Sequence, residues 1–127
     1  MASIAPCHCG TGLAYDNCCG PVHLHGAGLG TRAVELMRAR YSAYVEGNER
    51  FLLGSWHPDT RPATLDFDPT VAWTGLTILD EVAGGALDNE GIVEFAARYR
   101  SGDTPRVLRE RSAFRRHGGN WLYVGAD

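Results

Sequence analysis

The chain contains no lysine, no cysteine beyond residue 19, and a single charged side chain, Asp16, within its first 31 residues. The missing lysine reads as genome composition and carries no functional meaning. No run of eighteen apolar residues occurs, which argues against a membrane-spanning helix. The opening MASIAP lacks the basic and apolar regions of a secretory signal, so the expected location is the cytoplasm. No G-x-G-x-x-G or P-loop pattern follows a strand-like run, which removes nucleotide-binding readings. No internal repeat or low-complexity segment is present, so repeat architectures are set aside.

What is there fits one domain with a small appendage, since 127 residues suffice for one core and little more. Hydrophobic residues at 44% and charged residues at 21% suggest neither disorder nor a coiled coil. Net charge is −3, but the charge is segregated: residues 59–94 hold eight acidic side chains against Arg61, and residues 98–116 hold seven arginines against Asp103 and Glu110. Acidic and basic strands lying side by side, paired across a sheet, account for such blocks. A nucleic-acid surface is not expected, because such modules are usually basic overall.

All four cysteines fall within CHCGTGLAYDNCC, residues 7–19. Two disulfides among such close neighbours would be geometrically awkward, and a reducing compartment disfavours them. The C-x-x-C spacing of a thioredoxin-type pair is missing. Four thiolates, however, complete a closed tetrahedral metal site, so Cys7, Cys9, Cys18 and Cys19 are the predicted ligands. Gly10 and Gly12 permit a tight turn that aims the first pair inward. Thr11 is expected to cap a short helix over residues 13–17 that delivers the second pair, with Gly20-Pro21 ending it. His8, His23 and His25 stand nearby, but a four-cysteine set leaves them no position. Zinc is the default ion, and iron suits the same thiolate tetrahedron.

Three segments follow: a metal knuckle at 1–21, a glycine-rich connector at 22–31, and an α+β domain at 32–127. The knuckle is expected to fold as an independent module. Thr31 offers an N-cap, and Ala33, Leu36, Met37, Tyr41, Tyr44 and Val45 recur at helical spacing until Gly47. A second helix is predicted over Asn48–Leu53, closed by His57-Pro58. Beyond Pro62 the period changes to two, and VAWTGLTIL, GIVEFAARYR, RVLRERSAFRR and NWLYV read as antiparallel strands. Within GIVEFAARYR, Val93, Phe95, Ala97 and Tyr99 share a dry face while Glu94, Arg98 and Arg100 share the other. The glycines of RHGGNW predict a hairpin between the last two strands. Helices must then cover the apolar face of the sheet.

The stretch CHCGTGLAYDNCCG resembles the SEC-C motif, a small zinc-binding segment also found in the preprotein translocase ATPase SecA. Together with LMRARYSAYV at 36–45, WHPDTRPA at 56–63 and ERSAF at 110–114, it makes the whole chain resemble the YchJ-like (UPF0225) family. That resemblance implies an NTF2-like cone behind the knuckle. It also implies a protein-docking or adaptor role related to chaperones or ribosomes. Fold analogy adds an expected homodimer through the exposed sheet face.

The competing expectation is a small-ligand binder or enzyme, isomerase- or dehydratase-like, with a pocket between helix and sheet. Its candidate residues are His57, Glu94 and Arg98, with Arg109 and Arg111 as further guanidinium groups for a small anionic ligand. Each has a plainer reading. His57 can terminate a helix, and Arg98 and Glu110 can pair across strands. Tyr41, Tyr44, Trp73 and Trp121 read as core aromatics.

Overall fold

The alternating C-terminal half forms one antiparallel meander: β1 (Val71–Ala83), β2 (Glu90–Ser101), β3 (Thr104–His117) and β4 (Asn120–Ala126), hydrogen-bonded in that order. The computed structural model describes residues 6–127. The predicted two faces of β2 are present, with Val93, Phe95 and Ala97 buried and Arg98 exposed. His117 pairs with Asn120 across the predicted glycine turn between β3 and β4.

Three helices cover the dry face. They are α1 (Cys19–His25), α2 (Ala33–Glu46) and α3 (Glu49–Gly54), with a short 3-10 turn over Tyr15–Asn17 before them. Nine residues of α2, from Ala33 to Ala43, are buried. A helix buried around most of its circumference must be covered on more than one side. One side of α2 meets the sheet, while α1 and the cysteine segment cover another. Gly47 ends α2 in the left-handed conformation at φ 67°, where a Cβ is disfavoured. Asn48 then caps α3 by accepting a 3.0 Å bond from the Phe51 N–H, as its residue type favours.

Local readings needed correction in three places. Residues 22–25, assigned to the connector, belong to α1, and Gly20-Pro21 lies in the first turn of that helix instead of ending one. Proline is tolerated there because first-turn N–H groups have no partner within the helix. The expected helix over 13–17 shrinks to the 3-10 turn, so Cys18 sits between two helical pieces. Thr31 does not cap α2. Arg32 occupies that position without a side-chain capping bond, and the Ala33 N–H donates to Gly84 O at 2.9 Å.

After α3 the chain runs alongside β4. Trp56 bridges Tyr123 in parallel, and the His57 N–H donates to Tyr123 O at 2.8 Å. Among the described residues, no helix is long and apolar enough to cross a membrane.

Candidate metal centre

The cysteine segment begins as a tight loop. Pro6 and Ala14 form an antiparallel bridge, and the Cys7 N–H donates to Leu13 O at 2.7 Å. Gly10 and Gly12 take φ values of 86° and 85°, which L-residues rarely adopt. These two turns fold Cys7 and Cys9 back toward the end of the 3-10 turn and the start of α1, where Cys18 and Cys19 lie.

All four Sγ atoms lie within 4.8 Å of one another. Cys9 and Cys18 are 3.4 Å apart, and Cys18 and Cys19 are 4.0 Å apart. Thiolates about 2.3 Å from a tetrahedral ion sit about 3.8 Å from each other, so the donor set fits a metal of that kind. None of the four is in a disulfide, and only Cys18 is not fully buried.

Protonation of the cluster is uneven. Cys9 is drawn down to about 4, chiefly because the Cys19 thiol donates a hydrogen bond to it, with Thr11 and Cys18 adding further bonds against the effect of burial. Cys19 is pushed up by its bond to Cys9 and by burial. A cation bound among the four thiols would take the place of their protons.

The cluster is anchored to the larger domain at several points. Cys7 Sγ lies 3.5 Å from the buried Ser42 Oγ of α2, and Arg38 donates to Cys9 O at 2.8 Å. Cys7, Cys9 and Cys19 belong to the same core cluster as Leu36, Ala39 and Tyr41. Where an independent module is expected, one core cluster is shared by the knuckle and the sheet domain. His23 is engaged elsewhere: Nδ1 lies 2.6 Å from Tyr15 OH and Nε2 lies 2.7 Å from Ala39 O.

The other candidate residues do not converge. His57 is buried at the exit of α3, where its Nδ1 accepts from the Asp59 N–H at 3.1 Å. Glu94 is opposite Arg111 on the outer sheet face and pairs with it at 3.0 Å and with Arg109 at 2.6 Å. Arg111 also meets Asp80 at 3.1 Å. These contacts are the cross-strand pairing that the charge segregation predicts. Arg98 donates to Thr77 Oγ1 at 2.8 Å.

Glu110 departs from the pairing expected of it. It accepts bonds from Ser112 Oγ and Tyr123 OH and lines a cavity with Tyr41, Tyr44, Trp73 and Arg40. Tyr41 and Trp121 are buried in the core cluster as expected, and Tyr41, Tyr44 and Trp73 also border this cavity. The alternation Glu110, Ser112, Phe114 was the available signal, since it puts the glutamate in phase with a core phenylalanine.

The model of the YchJ middle NTF2-like domain matches residues 32–126. A UPF0225 protein of Streptomyces avermitilis is 48% identical over 123 residues, covering 97% of this chain and 84% of its own. A UPF0225 protein of Streptomyces coelicolor is 47% identical, covering 96% of this chain and 94% of its own. The solution structure of RPA3114, a SEC-C motif containing protein from Rhodopseudomonas palustris, superposes with a TM-score of 0.82 at 30% identity, across 97% of this chain and 98% of that one. A SEC-C motif containing protein from Psychrobacter arcticus shares the fold, with a TM-score of 0.70 at 24% identity over 96% of this chain and 79% of that one. With an NTF2-like domain, a cysteine cluster of metal-site geometry and relatives of this similarity along nearly its full length, the chain belongs to the YchJ-like UPF0225 family.

Proposed function

We propose that the protein is a metal-stapled adaptor, in which a closed four-thiolate site holds zinc, or iron in its place, and shapes a docking surface for a protein partner. The observation that carries this reading is the convergence of four unpaired cysteines within 4.8 Å. With every tetrahedral position filled by sulfur, no place remains for water or substrate, so the ion is structural.

The surface beside the knuckle supports docking. Leu13, Leu24 and Leu29 are 53%, 78% and 86% exposed in a segment with almost no charge. Leu24 borders a cleft of about 440 Å³ that Phe51 and Leu122 also line. Such a cleft suits an apolar anchor from a partner chain.

Elemental analysis of protein purified without chelator tests the metal: one equivalent of zinc or iron is expected, and it is lost in Cys18→Ser. A photocrosslinker placed at Leu24 in cells tests the docking. A crosslink to another protein that disappears in Cys18→Ser supports the adaptor role, and a crosslink pattern unchanged by that substitution overturns it.

A further inference from the structure

We propose that the cleft between α2 and the inner face of the sheet binds a small, ring-sized apolar molecule bearing an amine, with its nitrogen directed at Glu110. The cleft has a volume of about 230 Å³. The side chains of α2 and of the sheet's inner face leave this space unfilled. Pockets for drug-sized molecules run from about 300 to 1,000 Å³, which limits this occupant to roughly one ring and a short substituent.

The walls define its apolar part. Tyr41 and Tyr44 from α2 stand with ring centroids 6.1 and 6.2 Å from that of Trp73 on β1, and Phe95 and Leu108 also face the space. The two tyrosine rings are set at 75° and 54° to the indole, so the wall is aromatic on both the helix and the sheet side. They also suit a cation, which is attracted to aromatic faces.

The polar end defines the rest. A carboxylate on the inner face of a sheet is costly unless donors meet it. Glu110 receives two, Ser112 Oγ and Tyr123 OH, but both act on Oε2. Burial and the Glu110 charge raise Tyr123 to about 12, so its phenol keeps its proton and donates. The acceptor capacity of Oε1 is left for a ligand.

Arg40 also borders the space, with the Glu110 carboxylate acting on it as a counter-charge. Its Nη1 donates to Leu52 O at 2.8 Å and Ser55 Oγ at 2.7 Å, and its guanidinium lies over the rings of Trp56 and Tyr123. An anion would in addition face the Glu110 charge.

Benzylamine, toluene and benzoate serve as ring-sized probes that differ in their polar group. Amide chemical-shift titrations of the full-length, metal-loaded protein should place benzylamine in the cleft, with shifts on Tyr41, Trp73 and Glu110, and about tenfold tighter than toluene or benzoate. Glu110→Gln keeps the shape and removes the charge, and should abolish that preference while leaving toluene binding within about twofold. Equal or stronger binding of benzoate, or no cleft binding by any probe, would overturn the proposal. The comparison among probes in the wild-type protein stands even if the variant fails to fold.

Discussion

Ser42 Oγ and Cys7 Sγ meet at 3.5 Å across the junction between α2 and the cysteine loop. Ser42 is fully buried, and three of the four cysteines lie in the same core cluster as α2. Loss of the metal should consequently unsettle the sheet domain too. Cys18→Ser, or treatment with a strong chelator, is expected to lower the melting temperature of the whole protein by roughly 10 °C or more in one cooperative transition. Calorimetry showing an unchanged main transition would mean that knuckle and cone are energetically separate.

His23 provides a second tie. A carbonyl oxygen only accepts, so the contact with Ala39 O requires the proton on Nε2, and Nδ1 then accepts from Tyr15 OH. The ring thereby links the 3-10 turn to α2 through α1, and it also packs against Phe51 at 4.6 Å between centroids. His23→Ala should lower stability by about 2 kcal/mol, from two lost hydrogen bonds and the packing around them, while metal content stays at the wild-type level. Denaturant unfolding and elemental analysis measure the two halves of this expectation. Loss of the metal would instead make His23 part of the site.

How far the sequence carried the fold depended on the range of the interaction. Strands with period two and the Gly47 helix stop were legible because each rests on neighbours a few residues away. Cysteine spacing likewise exposed the proximity of the four thiols. α1 was hidden because Gly20 and Pro21 read as punctuation, although first-turn positions tolerate both. The shared core around Ser42 joins residues 35 apart, which local spacing does not encode. Glu110 was legible in principle, since its strand alternation put it beside Phe114, but the arginines on either side of it drew attention to the outer face.

On that outer face, Arg109 and Arg111 hold the Glu94 carboxyl below the usual carboxylate range through hydrogen bonds and charge. A folded-state value below the unfolded one means that the group stabilises the protein above the unfolded value. This stabilisation is lost as pH falls through the folded value. Melting temperatures of wild type and Glu94→Gln should therefore differ most near neutral pH and converge on acidification below the usual glutamate range. A carbon-detected NMR titration giving Glu94 an ordinary glutamate value would contradict this account.

Gly91 faces a different constraint, from backbone at close range. A Cβ there would lie 2.5 Å from Gly84 Cα and 2.9 Å from Gly84 N, and backbone atoms have no rotamer by which to yield. Gly84 is itself fixed from two sides: its N–H donates to Glu90 O at 3.0 Å, and its carbonyl accepts the 2.9 Å bond from Ala33 that starts α2. Displacing it would strain the β1–β2 turn and the first turn of the central helix together. Gly91→Ala should accordingly cost about 2 kcal/mol, within the range for overpacking. Gly54→Ala, at the end of α3 with open space around the position, should be neutral or slightly stabilising. Urea denaturation of both variants distinguishes crowding from a general intolerance of alanine, and a Gly91→Ala protein as stable as wild type would show that the turn can shift without disturbing α2.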